Sequence, residues 1–166
     1  MFTTGTDITT AVTDLINTGT LIIILLILLK KGIKRNQDIT WIIAFIMFIL
    51  VSITGFIIHG LQATQDHEIN AFLRKILIVE LSFMMAFYVI SVICDIYGEI
   101  IFRRVLGLCL IPAVIFIAMS ITIMNLTTYK NGFMVFAIYC ILNQLVIIII
   151  LIRHLHDRTG LNLYLI

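Results

Sequence analysis

Charge is scarce in this sequence. Lys and Arg number 11 and Asp and Glu 9 among 166 residues, so 12% of the chain is charged, about half the share of an ordinary soluble domain. With a net charge of +2, neither a nucleic-acid surface nor a polybasic patch has the residues it needs. No Lys or Arg precedes Lys30. A cleavable signal peptide carries its positive charge ahead of its apolar stretch, and here the order is reversed, so the first apolar stretch is expected to remain as a signal-anchor helix. Cys94, Cys109 and Cys140 form no C-x-x-C pair, which speaks against thiol-redox chemistry and leaves each as a small hydrophobe. Proline occurs once, at Pro112.

Apolar residues are what the chain has in excess: 61% are hydrophobic and the mean hydropathy is +1.17. A water-soluble fold of this size has nowhere to hide so much apolar surface. The apolar residues fall into five blocks, at about residues 11–29, 40–60, 76–94, 105–124 and 132–152, each near the roughly 20 residues a helix needs to cross a bilayer. The blocks lack the alternation of a barrel strand, and isolated strands in lipid leave backbone groups unpaired. The expected fold is all-α: a polytopic transmembrane bundle of five spanning helices in a single domain over residues 1–166, with a tail at 153–166. Leu161, Leu163, Tyr164, Leu165 and Ile166 begin a further apolar stretch, which suits either a tail lying on the membrane surface or the start of a sixth helix. Pro112 falls inside the fourth helix, where it removes the bond to the Leu108 carbonyl and should kink it.

Basic residues set the expected orientation. Eight lie on one side, at Lys30, Lys31, Lys34, Arg35, Arg103, Arg104, Arg153 and Arg158; three lie on the other, at Arg74, Lys75 and Lys130. This asymmetry places the N-terminus outside and the C-terminus in the cytoplasm, with Trp41, Tyr97 and Tyr129 as interfacial anchors.

Ionisable residues at membrane depth are costly and usually face a bundle interior. Three belong to the outer layer of this topology: Asp14 near the outer end of the first helix, His59 closing the second, and Glu80 about one turn into the third. Two carboxylates and an imidazole at one level suit a divalent metal, a proton relay or a hydrogen-bonded structural knot. Ser52, Gly55 and His59 share one face of the second helix, and Gly55 permits close approach by a neighbour. Ser82 and Ala86 form a small-x-x-x-small packing pair, and Asn143 and Gln144 are expected to hydrogen-bond across helices. His154 and His156, two apart, point to different faces of a helix and so do not form a helical metal pair.

From Thr6 to about Ser91 the sequence resembles a group of small bacterial membrane proteins of unknown function. The resemblance rests on Thr13-Asp14 opening the first helix, Trp41 opening the second, the run Gly55-Phe56-Ile57-Ile58-His59-Gly60 closing it, and Lys75 ahead of the third. That group is distantly similar to the alkaline-ceramidase and adiponectin-receptor (CREST-type) membrane hydrolases, whose bundles hold zinc with histidines from separate helices, helped by a serine and an aspartate. The resemblance implies His59 as the helix-2 histidine, and Asp14 and Glu80, at the same level by topology, are the other candidate ligands to a Zn²⁺ ion. Glu80 and Ser52 are the catalytic candidates. The family's serine position, one turn before the histidine, is here Gly55, and its paired histidines on the last helix have no counterpart among these residues.

The expected function is that of a multi-pass protein of unknown biochemical activity, in a bacterial inner membrane, with an outer-leaflet polar site. Two alternatives stand beside it: a metal-dependent hydrolase of a lipid amide or ester, and a non-catalytic subunit of a larger membrane complex. The expected partners are the lipid bilayer, other membrane subunits or a homo-oligomer, and no nucleic acid. The topology is open to labelling: a membrane-impermeant thiol reagent added from outside should modify Thr4→Cys and miss Asn36→Cys, and the reverse pattern would overturn the orientation.

Overall fold

The computed structural model describes residues 5–60 and 67–159. Five long helices account for nearly all of them: α1 (Gly5–Lys31), α2 (Asn36–Gly60), α3 (His67–Tyr97), α4 (Phe102–Leu126) and α5 (Tyr129–Thr159). Each is long and apolar enough to cross a membrane. Every helix runs past its apolar block at one or both ends, because hydropathy marks the hydrocarbon-crossing part whereas the backbone stays helical into the polar interface. The difference is largest for α3, which starts nine residues before the expected residue 76. Residues 153–159, expected as tail, are the last turns of α5; residues 160–166 lie outside the described residues.

Local chemistry explains the turns. Gly32 and Gly98 take φ of 81° and 82°, a left-handed conformation that glycine adopts at low cost past the end of a helix. Gly98 N–H closes α3 by donating to the Cys94 carbonyl at 2.9 Å. Before α2 the Asp38 carboxylate folds back and accepts from the backbone N–H groups of Lys34 and Arg35 at 3.0 and 2.9 Å, which fixes a four-residue connection between α1 and α2. A short 3-10 turn, Glu99–Ile101, leads into α4. That helix continues uninterrupted through Pro112.

The helices form a row that thickens toward its C-terminal half. α1 packs on α2, α2 on α3, and α3 on both α4 and α5, which also pack on each other; α1 has no comparable interface with α3, α4 or α5. A buried cluster lies among α3, α4 and α5, where Ile78, Met85, Ala86, Ala113, Phe136 and Tyr139 are buried together. Ser82 and Ala86 are fully buried in this region, in keeping with a small-residue packing face. The Tyr139 hydroxyl crosses from α5 to donate to the Ser82 carbonyl at 3.3 Å. Asn143 shows no hydrogen bond to another helix among the described residues. Its side chain instead donates to the Tyr139 carbonyl on its own helix at 2.8 Å. Cys94 is buried with Ile90 and Val105, and none of the three cysteines forms a disulfide among the described residues.

α2 and α3 are clasped near the basic end of the bundle, the end that carries Lys30 to Arg35. The buried hydroxyls of Ser91 and Thr40 share a 2.9 Å hydrogen bond, and the Trp41 indole N–H donates to the Asp95 carboxylate at 2.8 Å. The Trp41 ring also packs edge-on to Tyr88, 5.7 Å between centroids. These contacts lock the register of α2 against α3 and so determine what the opposite end of each helix can meet.

Candidate functional site

Near its His59 end α2 has a gap where a side chain would be. Gly55 is buried there, and the Asp14 carboxylate of α1 fills the space, so close that a Cβ on Gly55 would lie 2.8 Å from Asp14 Oδ2. Glycine lets the α1 carboxylate lie against the α2 backbone. His59 is one helical turn further along the same face, within electrostatic reach of Asp14.

The next residue round the helix serves the other neighbour. Thr54 is buried, at 7% exposure, and its hydroxyl pairs with the Glu80 carboxylate of α3. The second oxygen, Glu80 Oε2, is buried and has no hydrogen-bond partner among the described residues. An unpartnered carboxylate oxygen away from water is expensive unless a proton, a cation or a further donor reaches it.

Depth brings these groups to one level. Asp14 lies 17 residues before Lys31, Glu80 lies 17 before Tyr97, and Thr54 lies 18 after Asn36. At 1.5 Å per residue these are heights of about 26 to 27 Å above the basic end. His59, 23 residues after Asn36, is about a turn higher, at about 34 Å. Glu80 is thus near the middle of α3 rather than one turn into it, because the helix begins at His67.

Rotation separates what depth brings together. Asp14 lies against α2 at Gly55, on the α1 side, and Glu80 pairs with Thr54 on the α3 side. Among the described residues no three His, Cys, Asp or Glu side chains gather as a metal-ligand group. Ser52 is buried one turn below Gly55, at 3% exposure. His154 and His156 lie on the last turns of α5, and Asp66 lies outside the described residues. Thr54 is the participant that the sequence pattern does not single out, since a threonine in an apolar block reads as filler; its one signal is its height, which matches that of Glu80. Two open apolar grooves of about 330 and 340 Å³ lie elsewhere, and neither is lined by Asp14, His59 or Glu80.

The Gly55 seat makes a prediction. Gly55→Ala should cost roughly 1–3 kcal/mol by overpacking, and Asp14→Ala in the same chain should recover part of that loss, because it clears the colliding carboxylate. Unfolding in detergent would show coupling of the two substitutions; additive losses would contradict the contact.

The comparisons with known proteins point to a family and to no activity. No curated protein and no solved structure matches the chain. A family model described as a family of unknown function, DUF6962, matches residues 9–166, a stretch that includes Asp14, Thr54, Gly55, His59 and Glu80. The chain belongs to the DUF6962 family.

Proposed function

We propose that this chain is a multi-pass protein of a bacterial plasma membrane, with its N-terminus outside, whose polar centre around α2 takes up and releases a proton. The observation that carries this reading is Glu80 Oε2, buried and without a partner among the described residues on a helix apolar enough to cross a membrane. A carboxylate held by one hydroxyl, with its other oxygen open, is equipped to exchange a proton and poorly equipped to be structural glue alone. If the basic end marks one boundary of a hydrocarbon layer about 30 Å thick, the two carboxylates lie just inside the far boundary and His59 lies at it. An imidazole at that boundary is the side chain suited to pass protons near neutral pH, and Asp14 beside it can stabilise the imidazolium.

Two further readings have narrower support. The lipid-hydrolase reading follows from the resemblance to CREST-type enzymes and would use His59, Asp14 and Glu80 as ligands, with Glu80 and Ser52 in catalysis; its support is the electrostatic reach between Asp14 and His59. The subunit reading is favoured by α1, which packs on α2 and presents much of its surface outward.

Infrared difference spectroscopy of the protein in lipid vesicles between acidic and alkaline buffer tests the proton reading. A carboxyl band that titrates in the parent chain and disappears in Glu80→Gln is the expected result. A spectrum unchanged by Glu80→Gln would refute it. Stoichiometric zinc in the purified protein, lost in His59→Ala, would favour the hydrolase instead.

A further inference from the structure

Helix α1 has two faces, and one of them has no neighbour among the described residues. Ala11, Thr18 and Leu21 are buried and Asp14 half-buried, which defines the stripe that rests on α2. On an adjacent stripe, Thr10, Thr13, Asn17 and Thr20 follow one another at intervals of three, four and three, and all four are exposed. The hydroxyls of Thr13 and Thr20 are satisfied within the helix, donating to the carbonyls of Thr9 and Ile16 at 2.9 and 3.0 Å. Asn17 has no such recourse: no hydrogen bond to its amide is present among the described residues.

Depth makes this exposure a problem. Asn17 lies within the apolar span of α1 (Ile8–Lys31), 14 residues before Lys31, or about 21 Å from the basic end, inside a hydrocarbon layer about 30 Å thick. Lipid tails offer no donor or acceptor, so a primary amide facing them loses all its hydrogen bonds. A partner helix that supplies both removes the penalty.

We infer that this stripe is a self-association surface, and that its occupant is α1 of a second copy of this chain. The argument for a second copy is self-complementarity. An asparagine amide both donates and accepts, so two Asn17 side chains facing each other across a two-fold axis along the membrane normal satisfy one another reciprocally. Two copies inserted with the same orientation bring their α1 helices together in parallel. The three-four-three spacing is that of the a and d positions of a left-handed pair, with Asn17 at an a position, where a single buried asparagine fixes register and oligomeric state. Half-buried Ile24 and exposed Ile27 continue the same seam toward the basic end with apolar contacts. Thr13 and Thr20, their hydroxyls already folded onto their own backbone, let the two helices approach closely. This surface is distinct from the α1–α2 contact, so association leaves the Asp14 seat intact, and the inference does not depend on the proton reading.

The test uses the full chain in vesicles of a zwitterionic phospholipid, with dimerisation followed by energy transfer between labelled copies as the lipid-to-protein ratio is raised. The parent chain should dimerise; Asn17→Leu should weaken association roughly three- to twenty-fold, the range for one hydrogen-bonded contact between membrane helices, and Asn17→Gln should retain most of it. Oxidative cross-linking, scored above the background of the native cysteines, should trap Thr13→Cys and Thr20→Cys as dimers and spare Leu15→Cys, an exposed position on the opposite face. A parent chain that is monomeric at every dilution would overturn the inference, and so would association unaffected by Asn17→Leu. Cross-linking at Leu15 as efficient as at Thr13 would overturn it too.

Discussion

Inside a bilayer a polar side chain has no water to fall back on, so it must be paired by another part of the protein or by another molecule. That constraint organises this bundle. An apolar helix gains little by burying leucine or isoleucine against a neighbour when lipid is as apolar as the neighbour, and the contacts that choose partners and registers are the polar and close-packed ones. Between α2 and α3 these are Thr40 with Ser91, Trp41 with Asp95, and Thr54 with Glu80. Between α1 and α2 the counterpart is Asp14 seated on Gly55. Where α4 meets α5, Gly132 lies so close to α4 that a Cβ there would come 2.6 Å from the Ser120 carbonyl.

α2 is therefore the element on which the polar centre depends. Its residues 54, 55 and 59 address two helices at once: Thr54 holds the α3 carboxylate, while Gly55 and His59 receive the α1 carboxylate. The clasp at the basic end fixes the rotation and height of α2 against α3, and through them the point at which Thr54 finds Glu80. Two carboxylates, from α1 and from α3, thus reach adjoining faces of α2 at nearly the same height along it.

The five spans were legible in the sequence because crossing hydrocarbon takes a block of apolar residues that little else in a chain imitates. Their ends were less legible. The stretch from His67 to Lys75, polar enough to read as loop, is helix, since Asn, Glu, Arg and Lys are tolerated in a helix that has left the hydrocarbon, and this moved Glu80 from the first turn of α3 to its middle. The similar heights of Asp14 and Glu80 along their helices are what alternating helices lead one to expect. Which neighbour each of them faces is not legible in the sequence, because it is decided by packing angles and by contacts such as Trp41 with Asp95, 54 residues apart. Asn17 and its threonine neighbours escaped notice for a related reason: a hydropathy block averages over all faces of a helix, and the polar stripe becomes visible only when the buried face of α1 is known.

The arrangement around Gly55 is the point on which most of this rests. Solid-state NMR of isotope-labelled protein in lipid bilayers can read it directly, through the dipolar contact between the Asp14 carboxyl carbon and the Gly55 Cα. A cross-peak between these two carbons, together with one between the Glu80 carboxyl carbon and Thr54 Cβ, is expected. An Asp14 carboxyl that correlates with water or lipid headgroups and not with Gly55 would contradict the placement of the polar centre on α2.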